Sequence, residues 1–222
     1  MKRSSRRRLA ALGVLAGMSA FAVGLVFLRF ALSGGTHYSN LLWNIVLAWV
    51  PLLLALFIYD RHRRGASAVA LAAPALVWLV FLPNAPYLVT EFKLLRLIED
   101  MPVWFDVVLL VTFAWTGLML GFVSVYLVQA VAQRLAGPVA GWTCAVGALA
   151  ASGVGIYLGR YLRWNTWDLL VQPVAVLRDA TSRIDSPQLI GMSLVMAAFL
   201  TIAYTMLYVV LDAALDARND TA

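Results

Sequence analysis

The chain has 222 residues, of which 63% are hydrophobic and 13% charged, with a mean hydropathy of +0.85. Soluble domains carry about 45–50% apolar and about 25% charged residues, which excludes a soluble globular protein, a disordered chain and a disulfide scaffold. The formal net charge of +6 gathers at the ends of hydrophobic segments, where membranes rather than nucleic acid use it.

Six apolar stretches reach the ~20 residues of a membrane-crossing helix: 9–32, 41–59, 67–88, 103–131, 139–158 and 188–211. Each must be helical in lipid, because an unsatisfied backbone group there finds no water. The first follows Lys2, Arg3, Arg6, Arg7 and Arg8, which resembles a signal-peptide start, but its apolar run is longer than a signal peptide's. It is expected to be a retained anchor. The organisation predicted is a basic cytoplasmic terminus over 1–8, a single six-helix transmembrane domain over 9–211 and a short cytoplasmic tail over 212–222. The loop 33–40 carries no Lys or Arg, whereas Arg61, Arg63 and Arg64 follow the second stretch. The positive-inside rule then puts both termini in the cytoplasm.

Two connections on the outer side read as short amphipathic interfacial helices. In 90–100, Leu94, Leu95, Leu97 and Ile98 share one face at 100° per residue, with Lys93, Arg96, Glu99 and Asp100 on the other. Glu91 falls on the apolar side, either as a first-turn acid or pointing into a pocket. In 160–187, Pro173 is expected to start the second such helix, and Trp164 and Trp167 belong at headgroup depth. The fold class is therefore an all-α integral membrane protein, a six-transmembrane-helix bundle with two interfacial helices.

No ionisable side chain sits at the middle of any stretch, where coupled transporters place their sites. Polar residues gather instead at one end. Asn44, Asn84, Tyr87, Glu91, Asp106, Arg160, Arg163, Asn165 and Asp168 are the candidate ligand-binding set, with Asp106 and Glu91 the candidate bases. Each has a plainer reading. Asp106 in a first helical turn suits the helix dipole. Arg29 and Arg163 suit snorkelling to headgroups. Arg160, at the end of a small-residue ridge, wants a partner, and Asp106 is the nearest candidate. Pro83-Asn84-Ala85-Pro86 reads as a turn with an extended exit, its amide capping backbone or meeting a ligand. His37 reads as a solvated loop residue.

Gly147, Ala151, Gly155 and Gly159, with the pairs Gly13/Gly17 and Gly117/Gly121, are expected to let helices approach closely. The first ridge also offers a helix–helix oligomer contact. Ser193, Ala197, Thr201, Thr205 and Tyr208 make a weakly polar stripe, read as interhelical hydrogen bonding or, alternatively, as a conduit. No phosphate loop, metalloprotease motif or nucleophile elbow is present. A hard-cation site from Glu91, Asp106 and Asp168 remains open, although no metal and no cofactor is expected.

Three strings resemble a known family: Phe81-Leu82-Pro83-Asn84-Ala85-Pro86-Tyr87-Leu88-Val89-Thr90, Trp104-Phe105-Asp106, and Gly155-Ile156-Tyr157-Leu158-Gly159-Arg160 with Arg163-Trp164-Asn165 and Trp167-Asp168. With Asn40-Leu41-Leu42-Trp43-Asn44 they are similar to bacterial multi-pass membrane proteins of domain of unknown function 1361. That resemblance implies the bacterial cytoplasmic (inner) membrane and carries no activity. The function expected is a polar outer-leaflet pocket that binds or modifies a lipid or cell-envelope component, with membrane lipids as partners. Arg160 and Arg163 suit an anionic headgroup. The alternatives are a permease or channel, or a non-catalytic assembly partner.

Overall fold

The computed structural model describes residues 2–96, 101–182 and 186–219, and every regular element among them is helical. Leu97, Ile98, Glu99 and Asp100, used in the reading above, lie outside the described residues. The elements are α1 (Lys2–Ser33), α2 (Ser39–Arg63), α3 (Ala68–Phe81), α4 (Asn84–Tyr87), a 3-10 segment (Leu88–Arg96), α5 (Val103–Tyr161), α6 (Asp168–Val171), α7 (Pro173–Ser182) and α8 (Pro187–Asn219).

Among the described residues five helices are long and apolar enough to cross a membrane. They leave large apolar side chains exposed, among them Phe21, Leu53, Phe57, Leu194, Ile202 and Met206. A water-soluble fold does not expose apolar surface on this scale; lipid accommodates it. The chain is a multi-pass membrane protein. It divides into two compact units, Met1–Val128 and Gln129–Ala222.

In the first unit α5 is the interior helix. Its Leu109, Leu110, Phe113 and Leu120 are buried with Leu41, Ile45 and Leu52 of α2 and Ala22 and Val26 of α1. Two close approaches seat it. A Cβ on Gly117 would lie 2.3 Å from the Ala85 carbonyl oxygen, and one on Gly121 3.3 Å from the Ala85 Cβ. The Gly117/Gly121 pair thus packs as predicted, whereas nothing lies within 4 Å of a Cβ placed on Gly13 or Gly17. Ser124 ties three helices: its hydroxyl accepts from Trp78 Nε1 at 2.6 Å and donates to the Pro51 carbonyl at 3.1 Å.

The proline corner corrects one expectation. Its exit is helical, not extended: Pro83 has φ −57° and ψ −24°, and 84–87 make one α-turn. Proline fits a helical first turn because its missing N–H is not needed there. The Ala85 N–H bonds the Leu82 carbonyl instead, and the Asn84 amide nitrogen donates to the Phe81 carbonyl at 2.8 Å.

In the second unit α5 breaks at Gly137, with φ 88° and ψ 172°, and resumes at Pro138. Such a φ favours glycine, and proline is preset for the new first turn. The chain turns back on itself there, since a Cβ on Gly141 would meet the Gln133 side chain and lie 3.2 Å from the Gln129 carbonyl oxygen. The returning arm packs on α8. Trp142 meets Tyr204 and Tyr208 edge-on, and a Cβ on Gly153 would lie 2.5 Å from the Ser193 carbonyl oxygen. A close contact is thus made at Gly153, between the positions of the predicted ridge, of which Gly147 has nothing within 4 Å and Ala151 is exposed.

Candidate functional site

At the α1–α2 turn the first unit buries an ion pair. Arg29 is fully buried on the same α1 stripe as Leu15, Ala22 and Val26. Its Nε donates to Asp106 Oδ1 at 2.8 Å and its Nη2 to Oδ2 at 3.2 Å. The Tyr38 hydroxyl donates to the same Oδ2 at 3.1 Å, and the Arg29 guanidinium lies 4.7 Å from the Tyr38 ring centroid. A bidentate guanidinium–carboxylate pair with a phenol as third donor satisfies a charge that would otherwise be expensive at this depth. Two expectations change. Arg29 does not snorkel; it is an interior ligand. Asp106 takes Arg29, from α1, as its cation, where Arg160 was the expected partner.

Tyr38 stands in the left-handed region at φ 71°. That conformation costs a non-glycine residue on the order of 1–3 kcal/mol, and the contacts to Arg29 and Asp106 hold it there. Burial first, then the Asp106 charge and hydrogen bond, pushes the phenol up to about 12, against the opposing pull of Arg29. Arg163, at φ 58°, is the other non-glycine residue with positive φ among the described residues.

Two residues past Tyr38, α2 supplies a second polar group. Asn40 and Asn44, one turn apart, donate to Glu91 Oε2 at 3.3 Å and Oε1 at 3.4 Å. Glu91 is only 2% exposed. The reason is the pitch of its segment. Three residues per turn eclipse positions i and i+3, so Glu91 falls in line with buried Leu88 and with Leu94, which packs on the core. The α-helix predicted over 90–100 is thus a 3-10 segment as far as Arg96, and Lys93 and Phe92 are its exposed residues.

Other predicted residues serve the local backbone. Asn84 caps Phe81, as described, and the Tyr87 carbonyl accepts from the Thr90 hydroxyl at 2.7 Å. In the second unit, Asp168 Oδ2 accepts the Asn165 N–H at 2.7 Å, and Trp164 Nε1 donates to Asp179 at 2.9 Å. These bonds fold the loop between α5 and α7, which carries exposed Arg163, while half-buried Arg160 lies in the last turn of α5. The stripe on α8 is partly closed by packing, with Ser193 and Ala197 against Gly153; outside the stripe, the Tyr204 hydroxyl bonds buried Gln129. Among the described residues no group of three His, Cys, Asp or Glu side chains could hold a metal ion.

Sequence reasoning missed Tyr38 as a partner of Asp106, and missed the second ion pair of the unit. There Arg8 Nη1 and Nη2 meet Asp60 Oδ1 and Oδ2 at 2.7 and 2.8 Å. The signal for Arg29 was present, because it continues the stripe that carries Ala22 and Val26.

The family model described as "Protein of unknown function (DUF1361)" matches residues 43–203, a range that includes the proline corner, Glu91, Asp106 and the loop after α5. No curated protein and no solved structure matches the chain. The match covers most of the sequence, and the chain belongs to the DUF1361 family.

Proposed function

We propose that this chain crosses the bacterial inner membrane six times with both termini in the cytoplasm, and that its outer end binds a polar lipid or cell-envelope component. The break at Gly137 supports six crossings. It divides α5 into arms 103–136 and 138–161, and each exceeds the ~20 residues a crossing needs. The arginines at 61–64 and at the N-terminus support the orientation. Helix α7 and the 3-10 segment would lie along the outer interface.

The observation that carries the binding reading is Glu91, a buried carboxylate facing two neutral amides at 3.3 and 3.4 Å. An ionisable group at such depth marks function by default. The strained φ of Tyr38 and Arg163 fits the habit of functional sites. Arg160, at the end of α5, and Arg163, on the loop after it, suit an anionic headgroup at the second unit.

The test is mass spectrometry of lipid extracts from protein purified with its native membrane. One component should be enriched over the host membrane in the wild type and lost in Glu91→Gln and Asn44→Leu. An extract that mirrors the bulk membrane in all three overturns the reading.

A further inference from the structure

At the opposite end of α1 the first unit holds a groove of about 320 Å³ between α1, α2 and α5. Its walls are graded. Leu15 and Leu52 close the apolar end, and Leu12, Leu56 and Leu127 continue it. Seven residues back along α1 the wall reaches Arg8, and along α2 it reaches Tyr59 and Arg63. On α1 the gradient runs for roughly 10 Å at the helical rise. An apolar slot that ends at guanidinium and phenol groups has the polarity profile of one lipid chain below its headgroup.

The charge at the mouth selects among lipids. Arg8, Arg61, Arg63 and Arg64 stand against Asp60. Asp60 is committed to Arg8 through both oxygens, and Arg61, Arg63 and Arg64 are exposed. A zwitterionic headgroup gains little from that excess. Both headgroups carry a phosphodiester that a guanidinium can bind bidentately, but only an anionic lipid brings net negative charge to that excess, because the choline cation cancels it in the zwitterionic one.

We propose that this groove is a binding site for an anionic phospholipid, with an acyl chain along Leu12, Leu15 and Leu56 and the phosphate at Arg63, beside the Arg8–Asp60 pair. The site is independent of the Glu91 end. The experiment is native mass spectrometry of the full chain in detergent micelles with equal mole fractions of dioleoyl phosphatidylglycerol or dioleoyl phosphatidylcholine. Phosphatidylglycerol adducts should exceed phosphatidylcholine adducts by about fivefold, the worth of one arginine at an anionic headgroup. Arg63→Gln should bring the two lipids level. Ala11→Trp, at an exposed position on the groove wall, should lower adducts of both while circular dichroism is unchanged. Equal adducts of both lipids on the wild type overturn the proposal. So do phosphatidylglycerol adducts that survive Ala11→Trp and vanish in Glu91→Gln, which would belong to the other end.

Discussion

The two ends of α1 carry the same chemistry in different surroundings. Arg29–Asp106 and Arg8–Asp60 are both bidentate arginine–aspartate pairs that join α1 to a neighbouring helix. The first has side chains 0% and 3% exposed, the second 39% and 36%. Along α1 the two arginines are about 32 Å apart at the helical rise, close to the ~30 Å of a bilayer's hydrocarbon core. One pair is sealed inside protein and the other is open at its edge. Geometry alone would rank them alike, so burial decides what each is worth.

Breaking the buried pair should have the largest effect. Arg29→Ala leaves Asp106 without its cation, and such losses run to roughly 3–5 kcal/mol. A large fall in the thermal unfolding midpoint in detergent is expected, and an unchanged midpoint would contradict the sealed environment. The double variant Arg29→Leu with Asp106→Leu sharpens the point. It should recover most of that loss, because apolar replacement of a whole buried pair is often neutral.

Tyr38→Phe comes next. It removes one of three donors to Asp106, worth about 1.5–3 kcal/mol for a bond to a charged group. It also changes the response to alkali. The phenol ionises near 10.0 when unfolded and near about 12 in the fold. Its contribution is therefore complete below the lower value and disappears as pH rises towards the upper one. Wild-type unfolding should weaken across that window, and the phenylalanine variant should lack that component of the loss.

Arg8→Ala should do least. A pair this exposed contributes about 0–1 kcal/mol, and its small effect should shrink further in high salt. A loss as large as that of Arg29→Ala would erase the distinction between the two ends.

Much of the architecture was legible in the chain. The long helices fall on the apolar stretches, two of which share α5, and Glu91 and Asp106, singled out for their position, are both buried. What was misread follows a pattern. The amphipathic segment was placed at 100° per residue, and its 3-10 pitch differs, although Glu91 stays on the apolar side as read. Two prolines implied an extended corner, but Asn84 supplies a donor that lets a helical turn persist through it. The glycine ridge was read from spacing, but a close approach to α8 is made by Gly153, two positions from Ala151 and two from Gly155.

Hydrophobic length and charge at segment ends determined, without any structure, that this is a helical membrane protein, because a bilayer imposes those demands on each segment separately. Which charge meets which was a tertiary decision. Arg29 and Asp106 lie 77 positions apart, and no local rule distinguishes Arg29 from Arg160 as the partner. Only the packing of α1 against α5 brings the guanidinium to the carboxylate and seals both from water.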